Sequence, residues 1–145
     1  GFDACLDYKQ HPDALSLSRA IKAACPDGVD GYFENVGGMV MDAVMLCMNP
    51  FSRIALCGMI SGYDGKPIPM QHPALLHTNR MRSVASIGSE LMEVCPEAQK
   101  ERGELVGSAR LRPRETIAKG LESAPEAFLG MLRGRNFGKQ LVQLT

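Results

Sequence analysis

Residues 32–38, YFENVGG, decide how this chain is read. Aromatic and apolar residues run into an acid, an amide and two adjacent glycines. A strand that empties into a glycine turn and then a helix is how an open α/β sheet presents backbone and polar tips to a ligand at its carboxyl edge. The same pattern serves any strand that turns a corner, so the flanking sequence has to choose between the two.

Working outward, strands and helices alternate. Residues 4–8 (ACLDY) read as a short strand. Residues 13–25 read as a helix carrying Leu15, Ile21 and Ala24, stopped by Pro26, Asp27 and Gly28. Val29–Glu34 alternates and is aromatic, the mark of a strand. Gly37 and Gly38 open a helix over 39–48, apolar nearly all round, which Asn49 and Pro50 end. RIALCG at 53–58 reads as a buried strand, and a loop rich in glycine and proline spans 59–73. A loop of that length in a compact domain is usually functional or disordered. A short helical piece at 75–79, a strand at 81–87 and a helix from Pro96 to about Val106 follow. A strand at 114–118 precedes a helix whose Ala124, Ala127, Phe128, Met131 and Leu132 share one face, which places Phe128 in a core. Residues 139–144 form a closing strand. Strands alternating with helices predict an α/β fold with a mostly parallel sheet covered on both faces.

Composition excludes some functions. The 145 residues hold 16 basic and 16 acidic side chains, a balance that argues against a nucleic-acid surface. No long uncharged apolar run suggests a membrane span, and residues 1–20 lack the pattern of a signal peptide. The chain starts without Met and reads as cut from something longer. Cys5, Cys25, Cys47, Cys57 and Cys95 are scattered, show no C-x-x-C spacing and do not cluster with histidines. That pattern predicts reduced thiols in a cytoplasmic protein and no metal site.

Three of the expected strands end alike, at Asp7-Tyr8, at 34–38 and at 57–63. In a parallel sheet those ends share one edge, where ligands bind. Polar tips and glycines recurring at all three favour a ligand edge over three plain turns.

These residues also carry a resemblance. GFDACLDYK (1–9), PDGVDGYFENVGG (26–38), RIALCGMISGY (53–63) and ESAPEAFLGMLRGRNFGKQLV (122–142) resemble the carboxyl-terminal part of the zinc-independent medium-chain dehydrogenases/reductases. The branch is that of prostaglandin reductase (leukotriene dehydrogenase), the plant alkenal double-bond reductases and bacterial curcumin reductase. The resemblance implies a partial, doubly wound, Rossmann-like sheet lacking its first two strands, over residues 1–110. Residues 111–145 would belong to the catalytic domain in relatives. It implies a homodimeric parent enzyme that uses NADP(H) to reduce the carbon–carbon double bond of α,β-unsaturated aldehydes or ketones. A quinone reductase of the same superfamily and a non-catalytic, nucleotide-associated or dimerising remnant are the rival readings.

The same resemblance assigns residues. Tyr8 matches a tyrosine near the adenosine 2′-phosphate, and Asn35 an amide near the ribose. Cys57, Gly58, Met59, Ile60 and Ser61 match the loop that passes the nicotinamide. Tyr63 matches the tyrosine that steadies the substrate oxygen; a phenol donates to a developing enolate at neutral pH without ionising. Ser86, Ile87 and Gly88 match residues beside the nicotinamide carboxamide, where the family usually has a bulky aromatic in place of Ser86 and an apolar residue in place of Gly88. Asn136 matches a further amide on the cofactor. No G-x-G-x-x-G or A-x-G-x-x-G run is present, so the phosphate-gripping loop would lie upstream. The 145-residue chain alone is therefore expected to bind NADPH very weakly and to oxidise it with no enone. Calorimetry on the purified chain checks this, and micromolar binding to a monodisperse monomer would contradict it.

Overall fold

The computed structural model describes residues 2–87 and 92–144. The chain divides into two units, Gly1–Glu90 and Leu91–Thr145. In the first, α1 (Ala14–Ala24), β1 (Val29–Glu34), α2 (Gly38–Met45), β2 (Met48–Leu56), α3 (Ala74–Thr78) and β3 (Arg82–Ala85) follow in order. The three strands pair in parallel as β1-β2-β3. Helix α1 starts where the Asp13 carboxylate accepts the Ser16 N–H at 2.7 Å, an N-cap bond that satisfies a free donor. One face of the sheet is dry. Met41, Met45, Met48 and Ile54 form its core, with Tyr32, Val44, Leu75 and Leu76 packed on them. The sheet's other face leaves Phe33 66% and Val84 58% exposed.

Two expectations change here. Residues 4–8 are not a strand. Ala4 and Leu6 line a cleft with Ile21, Ala24 and Cys25, and a 3₁₀ turn at Tyr8–Gln10 follows. A strand exists by its ladder, and among the described residues β1 pairs only with β2. Asn49 and Pro50, expected to separate helix from strand, lie inside β2. The register jumps from Val29↔Met48 to Gly31↔Arg53, so residues 49–52 bulge out of the ladder, where proline is tolerated. The Asn49 side chain fixes the bulge by donating to the Asp27 carbonyl at 3.0 Å and to the Asp30 carboxylate at 2.9 Å.

The second unit holds α4 (Cys95–Gly107), β4 (Glu115–Lys119), α5 (Ala124–Leu132) and β5 (Lys139–Gln143), with β4 and β5 parallel. The Thr116 hydroxyl on β4 holds the turn that leads into β5, accepting from the Phe137 N–H at 3.0 Å. Ala124, Ala127 and Met131 of α5 are half-buried, but Phe128 is 57% exposed. That overturns its placement in the core: strands lie about 5 Å apart, so two of them are narrower than the helix's apolar stripe. Among the described residues no helix is long and apolar enough to cross a membrane.

The burial pattern sets an expectation for stability. Met45 is fully buried, so Met45→Ala should cost about 2–5 kcal/mol in the unfolding of the first unit. Phe128→Ala should cost less than about 1 kcal/mol. Denaturant titration followed by circular dichroism checks both, and the reverse ranking would contradict the assigned core.

Candidate functional site at the carboxyl edge

The turn at the end of β1 is organised by a residue that the sequence reading passed over. Tyr32 and Glu34 are two apart on a strand and so point to the same face. Glu34 is fully buried. Its Oε1 accepts the N–H groups of Val36 and Gly37, the latter at 2.9 Å, and its Oε2 accepts the Tyr32 hydroxyl at 2.7 Å. A buried carboxylate needs such partners. Placed just before α2, it also complements the positive end of that helix. Burial, and then the hydrogen bond and charge of Glu34, push the Tyr32 phenol far above its ordinary range.

The backbone of this turn is laced to the end of β2. The Glu34 carbonyl accepts the N–H groups of Cys57 at 2.9 Å and Gly58 at 3.0 Å. The carbonyls of Asn35 and Val36 accept those of Ile60 and Ser61, each at 3.0 Å. Gly37 and Gly38 have φ of 77° and 54°, conformations that suit glycine. A Cβ on Gly37 would lie 3.2 Å from the Ser61 hydroxyl and 3.3 Å from the Met59 Cβ, so the pair also makes room for the second loop. The long segment after it is anchored. Ile68 packs on Gly62, and Asp42, itself buried, accepts the Gln71 N–H at 3.0 Å.

Two predicted side chains converge above this lacing. The position that a Gly58 Cβ would take lies 3.3 Å from the Tyr63 hydroxyl and 3.6 Å from the Asn35 carboxamide oxygen. Both residues are exposed. Ser86 joins the same edge, donating its N–H to the Leu56 carbonyl at 3.1 Å, with Ile87 beside it and 68% exposed. Asn35, Cys57, Gly58, Met59, Ile60, Ser61, Tyr63 and Ser86 are thus brought together. Gly88 falls outside the described residues. No hydrogen bond among the described residues joins Tyr8 to the cluster; it opens the 3₁₀ turn, 37% exposed. Asn136 stands in the second unit, its amide donating to the Gly138 carbonyl at 2.7 Å. There it lines a cavity of about 300 Å³ with Thr116, Ser123, Glu126 and Gln140. Among the described residues no group of three His, Cys, Asp or Glu side chains is placed to hold a metal ion.

The comparisons with known proteins agree with one another. The chain is 38% identical over 152 residues to the NADPH-dependent curcumin reductase of Escherichia coli, covering 100% of this chain and 43% of that protein. It is 39% identical over 146 residues to the NADP(+)-dependent 2-alkenal reductase of Nicotiana tabacum, covering 100% and 42%. The crystal structure of CurA from Vibrio vulnificus in complex with NADPH superposes with a TM-score of 0.83 at 37% identity, covering 100% of this chain and 44% of that one. Over its whole length the chain is similar to the curcumin, alkenal and prostaglandin reductases. No family model matches the chain. It spans less than half the length of these relatives, and the α/β architecture with parallel strands is the one they share.

The Tyr32–Glu34 bond carries a pH dependence. The phenol titrates higher in the folded chain than in the unfolded one. The stability this contributes is complete below the unfolded value of about 10 and is lost as pH rises beyond it, because the unfolded state then binds fewer protons. Melting temperature should therefore fall from pH 9 to pH 11 more steeply in the wild type than in Tyr32→Phe. Parallel curves would contradict a hydrogen-bonded, buried phenol.

Proposed function

We propose that this chain supplies the nicotinamide edge of an NADPH-dependent reductase that saturates the carbon–carbon double bond of α,β-unsaturated aldehydes and ketones. The observation that carries the reading is the convergence of the Tyr63 hydroxyl and the Asn35 carboxamide above Gly58. It lies at the edge where parallel α/β sheets bind ligands, in a chain similar to an NADPH-dependent curcumin reductase and an NADP(+)-dependent alkenal reductase.

The residues present fit the cofactor. With no side chain at Gly58, a hydroxyl and an amide come within 3.3 and 3.6 Å of where its Cβ would stand. The backbone of 57–61, pinned to residues 34–36, forms a fixed wall, and Ser86 and Ile87 extend it. When bound, NADPH supplies the hydride. Tyr63 is placed to donate a hydrogen bond to the substrate carbonyl oxygen as it becomes an enolate. The contact strengthens as charge develops, so it lowers the barrier. Asn35 holds the ribose, and Tyr8 and Gly88 complete the cofactor contacts of the first unit in this reading. Residues 111–145 belong, as in relatives, to the catalytic domain, and the parent enzyme is a homodimer. Reduced thiols at Cys5, Cys25, Cys47 and Cys57 support a cytoplasmic location.

Kinetics on the protein as its gene encodes it tests the proposal. Tyr63→Phe should lower turnover on enones about 10²-fold, in line with loss of one oxyanion donor, while NADPH affinity stays nearly constant. An unchanged turnover number, measured where chemistry limits the rate, removes Tyr63 from the mechanism. Faster turnover on quinones than on any enal or enone would favour a quinone reductase instead.

A further inference from the structure

We infer that Glu34, with Tyr32 behind it, is the positioning residue for the cofactor edge: its buried side chain fixes the turn that carries Asn35 and to which the 57–61 loop is hydrogen-bonded. This rests on the function proposed above. The atoms nearest a Gly58 Cβ belong to Tyr63 and Asn35, and the side-chain bonds of Glu34 shape the turn that carries Asn35. Through its carboxylate, Glu34 fixes Val36 and Gly37, and so the direction in which the intervening Asn35 leaves the strand. Through its carbonyl it holds Cys57 and Gly58, the first residues of the facing loop. The next two rungs, from Asn35 and Val36 to Ile60 and Ser61, continue the same lacing. Tyr32 closes the system from below. Its hydroxyl occupies the remaining carboxylate oxygen, so the carboxylate has donors on both oxygens.

The arrangement also separates Glu34 from an ordinary turn residue. The N–H groups of Val36 and Gly37, at the entrance to α2, are occupied by the chain's own carboxylate and are not offered to an anionic ligand. This turn therefore serves the cofactor by holding shape, not by binding phosphate. Reaction rates are sensitive to such shape: a misplacement of about 1 Å can cost about 10²-fold in rate.

Three variants test this in the protein as encoded by its gene, with NADPH oxidation on an enone as readout and melting temperature as control. Glu34→Gln keeps an oxygen for Val36 and Gly37. Its amide donates to the Tyr32 oxygen, whose proton turns away, so the geometry survives. It should stay within about threefold of wild-type kcat/KM for NADPH. Glu34→Ala removes every side-chain bond and should lose about ten- to a hundredfold, the scale of a sub-ångström to 1 Å displacement. Tyr32→Phe should raise KM for NADPH several-fold and stay folded, so it decides the matter if Glu34→Ala does not fold. Wild-type kinetics in Tyr32→Phe together with wild-type kinetics in any folded Glu34→Ala overturns the inference. So does a Glu34→Gln as defective as the alanine variant. In both cases an active wild type leaves the proposed function standing, whereas a wild type that oxidises NADPH with no enone or quinone ends both.

Discussion

Everything at the functional edge depends on where one carboxylate sits. Glu34 is completely removed from solvent, a costly position for an acid unless each oxygen is bonded. The chain meets that demand with two backbone donors ahead of it and a phenol behind. Hydrogen bonds to a charged group contribute about 1.5–3 kcal/mol each, and leaving the group without partners costs more. The turn is therefore held in one shape. The apolar layer of Met41, Met45, Met48 and Ile54 beneath it supplies the rigid base.

From that turn the rest of the edge follows by backbone geometry. Parallel pairing of β1 with β2 carries both strand ends to the same side. The rungs from residues 34–36 to residues 57–61 continue the pairing beyond the strands themselves. Side chains are absent at Gly37 and Gly58, where a Cβ would press on the facing loop, and the polar tips of Tyr63 and Asn35 stand beside Gly58. Such an edge can hold a flat ligand against a backbone wall and present a hydroxyl to it. Those are the two requirements of a nicotinamide-dependent reduction in which the protein contributes binding, orientation and a charge-stabilising donor.

Much of this was legible in the sequence. The period-two pattern of Val29–Glu34, the glycines after it and the apolar helix that follows located the edge, because local pattern and tertiary role coincide there. The YFENVGG stretch posed a sharper question. Its exposed amide, Asn35, was legible as a candidate cofactor contact, whereas the buried acid beside it, which bonds the turn together, was not. The i, i+2 spacing of Tyr32 and Glu34 held the clue, since an acid on the inward face of a strand must find donors. Residues 4–8 looked like a strand by composition, but a strand needs a neighbour, and no composition reveals whether one is present. Phe128 failed for a related reason. Helical periodicity shows which face is apolar; how much of that face is covered depends on the width of what lies beneath it.

A crystal structure of the protein as its gene encodes it, bound to NADPH, tests the central claim most directly. The account predicts the nicotinamide against the backbone of residues 57–61, with the Tyr63 hydroxyl and Asn35 carboxamide at its border. It also predicts that the Glu34 carboxylate remains bonded to Val36, Gly37 and Tyr32. A cofactor bound elsewhere, or a Glu34 side chain released from the turn when the cofactor is in place, would contradict it.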